Sequence, residues 1–162
     1  MPPQWLDPDE RAAWLTLIRI VAKLPATLDA QLMRDAGLSF FEYSVMAMLS
    51  EQPDRTLRMS ELAAVTNASL SRLSHAAKRL EEQGLLTREA DPHDGRFTRA
   101  TLTEDGMRTV VQTAPAHVAA VRELVIDVVT PGQLRQLRVA NDRILARIDP
   151  DGTTEPSTPT AT

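Results

Sequence analysis

Apolar residues recur at steps of three and four from Asp9 to about Ala36, at Trp14, Leu17, Ile18, Val21, Leu24, Leu28 and Leu32. That period puts them on one broad face of a long helix. Asp7 is placed to cap it, Pro8 suits its first position, and Asp9 and Glu10 fall in its first turn. Pro25 interrupts the pattern and predicts a kink or break, because proline lacks the N–H and crowds the preceding turn. Gly37 stops the helix. A second helix follows Ser39, where Ser39-Phe40-Phe41-Glu42 reads as a capping box ahead of an apolar run to Leu49. Glu51-Gln52-Pro53-Asp54 ends it.

A short extended piece, Thr56–Met59, then leads to Ser60, a suitable cap for the brief helix ELAAV. Asn67 supplies a tight turn, since asparagine tolerates positive φ. Ser69 caps the next helix, Leu70 to Gln83, with Gly84 just past its end. Beyond Gly84 the period changes. Leu85–Ala90 and Phe97–Leu102 are short, threonine-bearing runs around Asp91-Pro92-His93-Asp94-Gly95-Arg96, the pattern of a β-hairpin.

Thr103 caps a further long helix whose apolar positions are Val111, Ala114, Val118, Val121, Val125 and Val128, with a bend expected at Pro115. Thr130-Pro131 opens a last helix through Ile148, with Leu134, Leu137, Ile144 and Ile148 on one side. From Asp149 on, DPDGTTEPSTPTAT has no large apolar residue, so residues 149–162 are expected to be a disordered tail.

At 162 residues, 43% hydrophobic and 25% charged, the chain has the size and composition of one globular unit. No run approaches the ~18 apolar residues of a membrane span, and the first residues lack a signal-like pattern. No membrane association and a cytoplasmic location are expected. The absence of cysteine removes disulfides, thiolate metal sites, cysteine nucleophiles and thiol redox sensing.

The net charge of −4 argues against indiscriminate nucleic-acid binding. Its distribution is uneven: residues 55–108 hold nine basic and eight acidic side chains, while residues 1–54 hold four and eight.

Two short helices joined by a tight turn and followed by a hairpin describe a winged helix-turn-helix. In the second helix of the pair, Leu70, Leu73, Ala77 and Leu80 form an apolar stripe. Ser69 stands at its start, and Ser71, Arg72, His75, Lys78 and Arg79 occupy the other side. Such a division lets one face anchor in the core while the other offers hydroxyls, a bidentate donor and cations to a major groove. Arg72 and His75 are expected near base edges, and Lys78 and Arg79 near phosphates. In the hairpin, Arg96 is placed to enter a minor groove, with Asp94 beside it to orient the guanidinium. The bland alternatives are a solvated helix face and an ordinary turn.

Taken in order, GLSFFEYSVMAML, MSELAAVTNASLSRLSHAAKRLEEQGLLTRE and DPHDGRFTRATLTEDG resemble the core of the MarR family of bacterial winged helix-turn-helix regulators. With the flanking helices the resemblance covers about residues 8–148. It implies a mostly α (α+β) fold: a winged helix-turn-helix core with long N- and C-terminal helices forming a dimerisation region. The divisions expected are 1–36 for the N-terminal dimerisation helix, 37–106 for the DNA-binding lobe and 107–148 for the C-terminal dimerisation helices. The family's wing-tip arginine and its aspartate partner fall on Arg96 and Asp94. The chain departs at His93 and His75, where many members carry arginine. The resemblance also implies an effector pocket between the first helix, the second helix and the helix after the wing, bringing Trp14, Phe40, Tyr43, Met46 and His117 into consideration.

The expected protein is a homodimer that binds double-stranded DNA at a pseudo-palindromic operator. It is expected to be a repressor released by a small aromatic or phenolic ligand, with no cofactor, no metal and no enzymatic activity. A winged-helix protein-interaction module without regulated DNA binding is the alternative. His75, His93 and His117 fall in different elements, which argues against a zinc site.

Overall fold

The computed structural model describes residues 3–152. Among them run α1 (Pro8–Ala36), α2 (Phe40–Ser50), β1 (Thr56–Arg58), α3 (Met59–Val65), α4 (Leu70–Glu82), β2 (Leu86–Ala90), β3 (Thr98–Leu102), α5 (Glu104–Val121), a π-helical turn (Arg122–Ile126) and α6 (Pro131–Ile148). The tail expected from Asp149 lies outside the described residues from position 153 onward.

Local chemistry sets most of the helix starts. The Asp7 side chain accepts the Glu10 N–H while the Glu10 carboxylate accepts the Asp7 N–H, both at 2.9 Å. Ser39 and Glu42 make the same reciprocal pair at the head of α2. Thr103 and Thr130 cap α5 and α6 through the N–H groups of Gly106 and Gln133. The start of α3 differs from expectation. Ser60 lies inside the helix, and the Glu61 carboxylate caps it instead by accepting the Arg58 N–H at 3.0 Å.

Neither internal proline breaks its helix. α1 runs unbroken through Pro25 and α5 through Pro115. Pro25 and the turn before it, residues 21–23, are exposed, so water is at hand for the carbonyl left without a partner. The interruption comes later, where the α5 backbone widens and the Asp127 N–H donates to the Arg122 carbonyl at 2.8 Å. Val125 therefore sits in a π-helical turn and not in a continuous α-helix.

The expected hairpin is part of a three-stranded antiparallel sheet of order β1-β3-β2. Thr56 pairs with Thr101 and Arg58 with Arg99, which adds β1 to the hairpin's far side. The core gathers Leu32 of α1, Val45, Met46 and Leu49 of α2, Leu62 of α3, and Leu73 and Leu80 of α4, all at 0% exposure. Gly106 joins α5 to this core at very close range. A Cβ there would collide with the Leu85 carbonyl oxygen and the Leu102 side chain.

The terminal helices leave this core. α6 buries none of its residues and makes only slight contact with the other elements. Trp14 and Val21 of α1, Val118 of α5, and Leu145 and Ile148 of α6 are all more than half exposed. No described helix is long and apolar enough to cross a membrane.

Candidate nucleic-acid interface

The turn between α3 and α4 is made at Asn67, whose φ of 48° is the left-handed conformation its side chain tolerates. Ser69 then caps α4 by accepting the Arg72 N–H at 3.1 Å. Leu73, Ala76, Ala77 and Leu80 of α4 face the core at 0% exposure. Leu70, expected on that stripe, is 57% exposed. As the first residue of the helix it projects beyond the packed turn, since helical side chains tilt toward the N-terminus.

The polar side of α4 divides differently from the expected assignment. Ser71, His75 and Lys78 are exposed and fall within about 60° of one another around the helix. Arg72 and Arg79 lie on the flank toward α2. The Arg72 guanidinium sits 4.1 Å above the Phe41 ring. The Arg79 Nε donates to Glu42 Oε1 at 2.6 Å, and that carboxylate is buried. The other oxygen of Glu42 caps α2 at the Ser39 N–H. The physical reason is tertiary: α2 presents a ring and a buried carboxylate at the height of these two arginines, and both interactions compensate a cation. Arg72 and Arg79 are thus tied to α2, which suits them to positioning the helix, and Ser71, His75 and Lys78 form its outward face.

Replacing Arg79 with alanine leaves the Glu42 carboxylate buried with one oxygen unpaired. We expect a loss of stability of about 1–3 kcal/mol, the usual range for stranding a buried acceptor. Chemical denaturation of Arg79→Ala beside Lys78→Ala checks it. Lys78 has no such buried partner, so equal stability of the two variants refutes the positioning role.

In the wing, Asp94 and Arg96 meet as the sequence suggested. Arg96 donates from Nε and an NH2 group to the Asp94 carboxylate at 2.9 and 2.7 Å, while its guanidinium stays 84% exposed. Arg99, on the return strand, pairs with Glu89 at 3.0 Å.

Three residues shape the wing through contacts that the sequence does not reveal: Asp91, Arg58 and Arg88. Asp91 is buried at the wing's base and accepts the His93 N–H at 2.8 Å and the Arg58 Nε at 2.7 Å. The Arg58 guanidinium also stacks 4.6 Å from the Phe97 ring centre. Asp91 was legible as a turn former, but nothing local links it to Arg58 on β1. Arg88 similarly ties the wing to α4, donating to Glu81 and to Ser74 Oγ.

The His93 N–H, and after it the Arg58 guanidinium, hold the Asp91 carboxyl below the usual carboxylate range. A lowered folded-state pKa stabilises the wing fully above the ordinary carboxylate range. The contribution is lost as pH falls through the folded value. Acid is therefore expected to lower the protection factors of the amides of residues 91 and 93–97, relative to their intrinsic exchange rates, before the core opens. Asp91→Asn should remove this acid-dependent step; persistence of the same step in the variant refutes the assignment.

Two concavities flank α4. A groove of about 310 Å³ lies between α4 and the wing, lined by Ser60, Leu70, Ser74, Arg88, Arg96 and Phe97 among others. A larger cleft of about 890 Å³ lies between α1, α2 and α4, lined by Asp29, Phe40, Phe41, Arg72, His75 and Arg79 among others.

Of the five residues considered for an effector, Phe40 lines this cleft. Tyr43 and Met46 are buried in the core. His117 packs against Tyr43, with ring centres 4.8 Å apart, and its Nδ1 lies 3.2 Å from Gln31 Oε1. Burial pushes its pKa down. Trp14 is exposed and lies eleven residues, about 16 Å along α1, from Pro25 at the cleft edge. The aromatic wall of the cleft is thus Phe40 and Phe41, the second of which the sequence does not single out as a ligand contact. Among the described residues, no group of three or more His, Cys, Asp or Glu side chains gathers as a metal site would need.

Comparison with known proteins agrees with this architecture. Residues 36–96 match the MarR family. The chain is similar to Sco3205, a MarR family transcriptional regulator from Streptomyces coelicolor solved in complex with DNA. The two share 40% identity and a TM-score of 0.88, over 92% of this chain and 93% of that one. It is also similar to AbsC, a MarR family transcriptional regulator from the same organism, at 37% identity and a TM-score of 0.84, over 90% of this chain and 98% of that one. Among curated relatives, the HTH-type transcriptional repressor Rv2887 of Mycobacterium tuberculosis is 29% identical over 143 residues, 88% of this chain and 97% of the relative.

Proposed function

Since the chain belongs to the MarR family, whose members are DNA-binding transcriptional regulators and not enzymes, we propose that it is a homodimeric, cytoplasmic repressor of a pseudo-palindromic operator, released by a small aromatic ligand. The observation that carries the DNA-binding part is the groove beside α4. The recognition helix forms one bank and the wing, with its exposed Arg96, forms the other. That spacing suits a duplex held by a helix in the major groove and an arginine in the adjacent minor groove. Ser71, His75 and Lys78 face the DNA, and Ser69 completes the helix start. Arg72 and Arg79 set the angle at which α4 is presented.

Dimerisation rests on the exposed apolar faces of α1, α5 and α6. Large apolar side chains left exposed along three helices suit an interface. A two-fold pair of subunits covers it and sets the recognition helices about 34 Å apart, one turn of DNA.

The ligand part rests on the cleft. Phe40 and Phe41 offer aromatic faces, while Arg72 and Arg79 offer cations and donors suited to an aromatic carboxylate or phenolate. A ligand there competes with Phe41 and Glu42 for the two arginines that position α4. A hundredfold loss of DNA affinity requires that it bind the DNA-incompetent state better by about 2.7 kcal/mol. Small aromatic acids and phenols are titrated by calorimetry, because neither tryptophan borders the cleft, with operator release followed in parallel. Compounds that bind without releasing DNA refute regulation by this cleft.

A further inference from the structure

We propose that Leu70 is a specificity-determining residue, reading the C5-methyl group of a thymine in the major groove. The inference rests on the DNA-binding reading above and names one of its base contacts.

Leu70 is the first residue of α4, immediately after the Ser69 cap. It is 57% exposed, while Leu73, Ala76, Ala77 and Leu80 of the same helix are fully buried. Leu70 therefore does not serve the core. Its surroundings mix polar or charged side chains with the apolar Met59 and Phe97. It lines the groove between α4 and the wing beside Ser60, Ser74, Arg88 and Arg96.

An isolated exposed leucine on a general surface carries no information. This one occupies the N-terminal end of a recognition helix, the part of a helix-turn-helix that meets base edges. Its side chain points forward past the first turn, because helical Cβ bonds tilt toward the N-terminus. It cannot hydrogen-bond, so the polar atoms of guanine, cytosine and adenine edges give it nothing. The thymine C5-methyl is the apolar group that base pairs present in the major groove. Contact with it removes both apolar surfaces from water, whereas a cytosine at the same position has only a hydrogen at C5 and leaves the leucine without that partner.

Deoxyuridine tests this cleanly, since it differs from thymidine only by that methyl. The full-length protein first selects duplexes from a random pool. Each thymine of the selected half-site is then replaced in turn by deoxyuridine, and affinities are measured for the wild type and for Leu70→Ala. The wild type should weaken about fourfold at one position per half-site, the factor that about 0.8 kcal/mol per buried carbon gives. Leu70→Ala should bind the thymine and uracil duplexes alike at that position, with an unchanged melting temperature and unchanged sensitivity at the others. Equal binding of all uracil duplexes by the wild type overturns the proposal. So does a thymine preference that persists undiminished in Leu70→Ala, which assigns the methyl to another residue. If the wild type selects no duplex at all, the DNA-binding reading itself fails, and that result is distinct from both.

Discussion

A chain ending at Thr130, and so lacking α6, is expected to lose the dimer and with it operator binding. α6 gives no buried residue to its own subunit, and it carries Leu137, Val139, Ile144, Leu145 and Ile148 at exposures of 41–73%. Side chains so placed gain little by folding within one chain. In the proposed dimer they gain their burial from a second copy. Without pairing, each lobe meets a half-site alone and loses the advantage of a linked second contact, on the order of a hundred- to ten-thousandfold in affinity. Because Val118 and Val128 are already 53% and 68% exposed, and a truncated chain left unpaired is prone to aggregate through them, a full-length variant with Leu137→Glu and Ile144→Glu provides the cleaner form. It keeps α6 and places charge on the proposed interface. Sedimentation and operator titration of both proteins check the expectation, with a chain ending at Asp149 as the control that retains α6. A monodisperse monomer that binds the operator at full affinity refutes it.

Arg96→Ala is expected to have the next largest effect on DNA binding, with folding nearly unaffected. The guanidinium projects into solvent and its polar contact in the free protein is with Asp94, itself part of the wing. On DNA that exposure becomes an asset, since a minor groove concentrates negative potential. Each lost contact should reduce the magnitude of the slope of log affinity against log salt by about 1, hence by about 2 for a dimer with two wings. Affinity at moderate salt should fall on the order of ten- to a hundredfold. Asp94→Asn should keep the charge and the slope while loosening the arginine's orientation. An Arg96→Ala protein with the wild-type slope removes the wing from the interface.

How much of this was legible beforehand depended on the range of the interaction. The caps at Asp7, Ser39, Ser69, Thr103 and Thr130 and the turn at Asn67 could be read directly, because each is closed by partners within three or four residues. The pairing of Asp94 with Arg96 belongs to the same class. The motif order from Gly37 to Gly106 carried the family resemblance, which the comparisons bear out. The prolines show where local rules reach their limit. Pro25 and Pro115 remove a hydrogen bond as expected, yet helices anchored on both sides absorb the loss.

The sequence by itself therefore determined most helix starts and the winged helix-turn-helix order, since periodicity and capping are properties of neighbouring residues, but not the π-helical turn that ends α5 at Val121. The tertiary structure alone decided which polar residues of α4 are free to meet a partner. Along the chain Arg72, His75, Lys78 and Arg79 all fall on the polar side of the helical period, and all four are expected to meet DNA. Phe41 and the buried Glu42 carboxylate withdraw two of them from the outward face. It likewise decided that Leu70 leaves the core, that Arg58 reaches across the fold to Asp91, and that Phe41 lines the cleft while Met46 does not. Each of these depends on where a distant segment packs. A helical period places a residue on a face, but the element lying against that face determines whether the residue is buried, paired or left open.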